Sequence, residues 1–142
     1  MDIDTRNNLF IKFLKIPYLH RGRNFDGADC LGGIILWYRF FLNIKIWDIE
    51  EEYTPGWRFK GKNYFIENYQ KQWDKIQLPR KHDVVLFRNK SGIANHAGIY
   101  LGEGQFYNIT HAGGVVCRLD TQGWKERVEG FYRYRGFDEN HD

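Results

Sequence analysis

The chain has 142 residues, 42% hydrophobic and 27% charged, enough for one domain with a real core and too few for two. Its net charge of +3 comes from scattered Lys and Arg without a recognition motif, so no nucleic-acid partner is expected. Its two cysteines, Cys30 and Cys117, form neither a CxxC pair nor a disulfide framework.

Residues 4–16 predict an amphipathic helix. Asp4 or Thr5 caps it, Leu9, Phe10, Phe13 and Leu14 share one face, and Pro17 stops it. The opening MDIDTRNN is acidic and polar, unlike a secretory signal, so synthesis in a cytoplasm and export by another route are expected. After the loop PYLHRGRNFDGAD, residues 30–42 predict a second helix, apolar nearly all round and therefore buried. At about 20 Å it is too short for a bilayer core of about 30 Å, so no membrane span is expected. The acidic run 48–52 reads as a solvated face, YTPGW as a turn, and residues 63–75 as a third helix. After Pro79 the apolar period changes to two. Residues 83–88, 96–102, 105–109, 114–119 and 130–135 read as strands separated by turn residues, which favours an antiparallel sheet. Helices followed by about five strands give a single α+β domain over residues 1–136, with a disordered tail at 137–142. Aromatic residues, 18% of the chain, are expected to fill the core, with some lining a groove for a sugar or peptide.

The chemistry concentrates at the head of the second helix. Cys30 stands at its N-terminus, where the helix dipole and free N–H groups favour a thiolate and the N–H of Cys30 can hold an oxyanion. Gly32 and Gly33 are poor helix formers, so close approach of another backbone or of a substrate is their expected use. A cysteine nucleophile needs a base, and the base needs an orienting group. His96 heads a strand in NHAGIYLG, where Ala97 and Gly98 leave room beside the ring.

Two residues can orient His96, and the hairpin tip LGEGQ separates them. A three-residue loop, Gly102-Glu103-Gly104, pairs Leu101 with Gln105 and sets Gly98 against Asn108. His96 and Asn108 are then diagonal neighbours on one face. A two-residue loop, Glu103-Gly104, sets His96 against His111 instead. Gly104 favours the first, and spacing alone leaves both open. A zinc site built from Cys30, His96, His111 and Cys117 has the right ligand number but lacks paired ligand spacing, so no metal is expected.

These motifs resemble the NlpC-type cell-wall peptidases, a papain-like cysteine hydrolase family. PYLHRGRNFDGADCLGG is similar to the family's P-Y-x-x-G-G … D-C-S-G approach to the nucleophile. LPRKHDVVLF resembles its P-x-x-G-D-h-h-h-F strand, and HAGIYLGEGQFYN its H-h-G-I-Y-h-G-x-G-x-h-h-H, without a gap; GVVCRL matches the next strand. The resemblance runs from Pro17 to about Leu119. It implies a papain-like fold in which the nucleophile helix packs on a mainly antiparallel sheet.

By position, the resemblance implies Cys30 as nucleophile, His96 as base and Asn108 as the third polar residue. Tyr18 would help shape the oxyanion site, and Asp29 would hold the substrate peptide beside Gly32. His111 matches no invariant family position and is expected at the rim. Leu31 replaces the family's Ser, which contacts a polar part of the stem peptide. A bulky apolar residue there resembles the branch found in tails of long-tailed phages and gene-transfer particles. The glycine before Asp83 is His82, read as a loop change, and Cys117 is expected in the core.

The implied activity is hydrolysis of an amide in a peptidoglycan stem peptide, around D-glutamate and diaminopimelate, through an acyl-enzyme and without a cofactor. The implied setting is a phage tail or gene-transfer particle acting at the bacterial wall, with other particle proteins as partners. The alternatives are a tail-tip structural protein with little activity, and a transferase or deamidase using the same acyl-enzyme.

Overall fold

The computed structural model describes residues 1–48, 66–67 and 71–136. Two helices, α1 (Ile3–Leu14) and α2 (Cys30–Leu42), flank a small hairpin of β1 (Arg23–Asn24) and β2 (Gly27–Ala28). Then come β3 (Trp73–Ile76), β4 (Val84–Arg88), β5 (Ala94–Gly102), β6 (Gln105–Thr110), β7 (Gly113–Arg118) and β8 (Val128–Tyr134). These six strands form one sheet in the order β3-β8-β4-β5-β6-β7, antiparallel at every pairing. The fold is α+β, as expected.

Helix α1 starts earlier than its sequence suggests, because Asp2 Oδ1 accepts from the Thr5 N–H at 2.7 Å and so caps the first turn. Phe13 and Ile16 are buried, whereas Leu14 faces outward and is 40% exposed. The chain bends at Lys15, and Ile16 takes the core position that helical periodicity assigned to Leu14. Helix α2 has the expected bounds. It ends where Asn43 adopts φ 55°, a left-handed conformation that its short polar side chain tolerates.

The third helix expected at 63–75 lies partly outside the described residues; residues 66–67 and 71–72 are helical. Trp73–Ile76 is instead the edge strand β3, in register with Phe131–Tyr134. The indole of Trp73 packs edge-on against Tyr38 and Tyr134, at 5.0 and 5.3 Å, and this tertiary burial overrides the local helical pattern. Among the described residues the sheet therefore has six strands, against the five or so expected. The YTPGW turn and the tail 137–142 lie outside the described residues.

Period-two alternation divides the sheet into two faces. Val84, Leu86, Ala97, Ile99, Tyr107 and Ile109 join Ile34, Trp37 and Tyr38 of α2 in the main core. Val85, Phe87 and Phe106 point the other way and pack with Trp124 and Val128. At the mouth of β4, His82 adopts φ 80°, which accounts for a glycine at this position in the family pattern. It is buried, and its Nδ1 accepts from the Trp37 indole N–H at 3.0 Å while its carbonyl accepts from the Tyr38 hydroxyl. His82 is thus a core bracket between α2 and the sheet, and more than a loop change.

Candidate active site

The segment before Cys30 is held at several points. Ala28 donates to Pro17 O at 3.1 Å and accepts from Leu19 N–H at 3.1 Å, so Tyr18 forms a parallel bridge with Ala28 two residues before the cysteine. Asp29 caps α2: its Oδ1 accepts from Gly32 N–H at 2.9 Å, and its Oδ2 from Arg21 N–H at 3.0 Å. Arg23 Nη1 completes the set at 2.9 Å from Asp29 Oδ1, while its other nitrogens reach Asp48.

Three residues expected to contact substrate are enclosed by the protein itself. Asp29 is 4% exposed with both carboxylate oxygens engaged within the protein, so it anchors the start of α2. Leu31 is fully buried in the main core, with no surface to offer a ligand. A Cβ on Gly32 would lie 2.1 Å from Gly22 O, so this glycine serves backbone approach within the loop and not substrate access.

On the sheet, His96 pairs with Phe87 and shares the face of Val85 and Phe106. The hairpin that brings Asn108 to it is made differently from either expected loop. The tip is the two-residue turn Glu103-Gly104, with φ 54° and 77°, and it pairs Gly102 with Gln105. These are the left-handed angles of a type I′ turn. A bulge at Leu101 then shifts the ladder by one residue, so that Tyr100 meets Phe106 and Ile99 meets Tyr107. The register beyond the bulge is the one a three-residue loop would give. A Cβ on Gly98 would come within 3.3 Å of Asn108 Cβ and 2.9 Å of Tyr107 O.

His96 Nε2 and Asn108 Oδ1 lie 2.8 Å apart. The amide orientation follows from the other end of the side chain, where Nδ2 donates to Val115 O at 3.3 Å and to Cys117 Sγ at 3.5 Å. Asn108 Oδ1 therefore accepts from Nε2–H, which leaves Nδ1 as the basic nitrogen. Cys117 is half-buried and assists Asn108. Burial lowers the pKa of His96 to about 4; the hydrogen bond donated to Asn108 opposes this, and the charges of Arg127 and His111 add to it. His96 is neutral at physiological pH, the state a general base requires.

His111 is exposed, with its ring 4.6 Å from that of Tyr18. Burial raises the pKa of Tyr18, and the neighbouring Asp29 and Cys30 raise it further. Tyr18 therefore keeps its proton and can donate a hydrogen bond beside Cys30. Cys30 acts electrostatically on Tyr18, whose ring meets that of His111, and the charge of His111 acts in turn on His96, the partner of Asn108; this chain of interactions defines the candidate site. Two further residues belong to it. Trp124 packs on His96 at 5.4 Å, and Arg127 sits 5.2 Å over the Trp124 ring. Both lie on a turn without hydrophobic period, so the only sequence signal was a tryptophan beside Gly123. Among the described residues no cluster of three or more His, Cys, Asp or Glu could hold a metal, and no helix is long and apolar enough to cross a membrane.

A cysteine heading a buried helix, with a His–Asn pair on the adjoining antiparallel sheet, defines a papain-like architecture. The chain belongs to the NlpC/P60 family, whose profile matches residues 15–133. It is 27% identical over 128 residues to the gamma-DL-glutamyl hydrolase of Bacillus subtilis, covering 87% of this chain and 27% of that protein. It is 28% identical over 118 residues to the probable peptidoglycan endopeptidase LytE of the same organism, covering 83% of this chain and 30% of LytE. The chain thus spans less than a third of the length of either curated relative. In structure it resembles an NLP/P60 lipoprotein-like protein of Staphylococcus aureus, with a TM-score of 0.65 at 18% identity, covering 94% of this chain and 42% of that one. The NlpC/p60 domain of the peptidoglycan hydrolase SagA aligns with a TM-score of 0.58 at 16% identity, over 94% of this chain and 99% of that domain.

Proposed function

We propose that the domain hydrolyses an amide bond in the stem peptide of peptidoglycan, with Cys30, His96 and Asn108 as a catalytic triad. The observation that carries this is the 2.8 Å His96–Asn108 contact on a neutral imidazole whose Nδ1 is the basic nitrogen. His96 Nδ1 takes the proton of the Cys30 thiol, and the sulfur attacks the scissile carbonyl. The N–H of Cys30 and the hydroxyl of Tyr18 stabilise the oxyanion of the tetrahedral intermediate. The imidazolium protonates the leaving amine as the C–N bond breaks, which leaves a thioester on Cys30. Water, deprotonated by His96, attacks the thioester, and the thiol returns with the released carboxylate. Asn108 holds the ring with Nε2 protonated through both steps.

The relatives support the substrate class. Their names refer to a gamma-glutamyl hydrolase and a peptidoglycan endopeptidase, and stem peptides offer bonds around D-glutamate and diaminopimelate. The apolar Leu31 after the nucleophile supports a setting in a phage tail or gene-transfer particle, where the domain would open the wall locally alongside other particle proteins. Mass spectrometry of peptidoglycan fragments after incubation tests the reaction. New fragments cut at one peptide bond are expected with the wild type and none with Cys30→Ala. Equal cutting by a folded Cys30→Ala variant refutes it, and amidated or transferred products identify a deamidase or transferase instead.

A further inference from the structure

A groove of about 900 Å³ runs between the β4–β5 turn and the turn at residues 123–127. It is lined by Arg88, Lys90 and Arg127 against a single acid, Glu126, whose carboxylate accepts from Gly123 N–H at 2.8 Å. The two arginines are held rigidly but by neutral partners. Arg88 donates to the carbonyls of Val128 and Glu126. Arg127 donates to Arg88 O at 3.2 Å and to Asn95 Oδ1 at 3.4 Å. Elsewhere in the fold, Arg23, Arg118, Arg133 and Arg135 each meet a carboxylate. Among the described residues neither Arg88, Lys90 nor Arg127 belongs to an ion pair. The two arginines are thus fixed in place without an ion-pair partner, and three cations face the single carboxylate of Glu126 across the groove.

The groove also adjoins the site. Asn95 precedes His96 in β5, and Arg127 covers the Trp124 ring that packs on the His96 imidazole. We propose that this groove is a substrate subsite that takes a carboxylate group of the peptide, with Arg127 and Lys90 as its charged contacts. The inference rests on the peptide-hydrolase reading above and specifies which substrates it favours: acidic stem peptides over their carboxamide forms. A guanidinium already anchored by carbonyls loses little side-chain freedom on meeting a carboxylate, and its planar donors match the two oxygens. The ammonium of Lys90, on an exposed turn, adds a longer-range attraction that salt weakens.

Binding tests this without requiring turnover. Calorimetric titration of the Cys30→Ala protein at low salt would compare the dipeptide γ-D-glutamyl-diaminopimelate with its carboxamide form. The expected result is about tenfold tighter binding of the acid, with the preference falling below about threefold in Lys90→Gln and in Arg127→Gln and only partly restored in Arg127→Lys, which keeps the charge but loses the planar fork. Lys90 is exposed and packs on nothing in the core, so its variant keeps the test valid if Arg127→Gln perturbs Trp124. Equal affinities for acid and amide, a preference that survives in both neutral variants, or no saturable binding of either dipeptide would each overturn the proposal. Wild-type hydrolysis is measured in parallel. Cutting without an acid preference defeats the subsite alone, whereas an acid preference without cutting defeats the hydrolase reading alone.

Discussion

Replacing Asn108 by alanine isolates the contribution of the orienting residue. The side chain is 2% exposed and makes three contacts, at 2.8 Å to His96, 3.3 Å to Val115 O and 3.5 Å to Cys117 Sγ. Losing the first leaves a partly buried Nε2–H without its acceptor, a cost of about 1–3 kcal/mol. Two aromatic rings remain against the imidazole, Phe87 at 5.8 Å and Trp124 at 5.4 Å, so the ring stays partly confined. The expected loss in kcat on a soluble stem peptide is therefore about 10- to 100-fold, far less than on removal of Cys30. The hydrogen bond that His96 donates to Asn108 raises the pKa of His96, so its removal moves the acid limb of the pH–rate profile below about 4. The same substitution opens a small buried space, and urea unfolding of the variant separates that cost from the catalytic one. Activity within twofold of wild type in a folded variant, or an acid limb that moves upward, would falsify the assigned role.

Three other outcomes follow from the geometry. Leu31→Ser places a hydroxyl in the main core and deletes packed methyls, so stability falls by about 3 kcal/mol; relative cleavage rates across stem peptides are expected to stay unchanged, since Leu31 is fully buried. Gly98→Ala drives a Cβ to 2.9 Å from Tyr107 O, so unfolding measurements show a loss of about 1–3 kcal/mol, accompanied by reduced turnover as Asn108 is displaced. His96 is held down to about 4 when folded and returns toward 6.5 when unfolded. The unfolded chain thus binds more protons between those values, and stability rises with pH across that window and is flat above it. Urea midpoints at pH 4.5 and 7 should differ less for His96→Gln than for wild type.

Helix α2 was legible because two signals agree: a continuous apolar run and an aspartate immediately before it that can cap. Its facing was not legible. A helix apolar nearly all round gives no moment to show that Leu31 points inward, so a family position that contacts substrate read as though it still did. The pairing of His96 with Asn108 was within reach because strand parity permits only two partners and Gly104 argued for one. The route differed, since a tight turn and a bulge together reproduce the register of a longer loop. Strand β3 was hidden because its signal is tertiary: Trp73 is buried by Tyr38 and Tyr134, residues far away in the chain. The turn that carries Trp124 and Arg127 has no period to read, and its place beside His96 exists only once β8 returns to pair with β4.

The Leu101 bulge has a consequence for how such a domain tolerates insertion and deletion over evolutionary time. It absorbs one residue between the turn and the ladder, and the ladder is gripped just inside it, where Tyr100 N–H donates to Asp83 O at 2.8 Å and His82 N–H to Tyr100 O at 2.9 Å. Loss of Leu101 would leave Tyr100 against Phe106, and His96 would keep its asparagine. Straightening the bulge at constant length would instead turn His96 toward His111. The hairpin tip is free to change length by one residue, provided the kink changes with it; the lineage is buffered against a shortened loop and exposed to a straightened one.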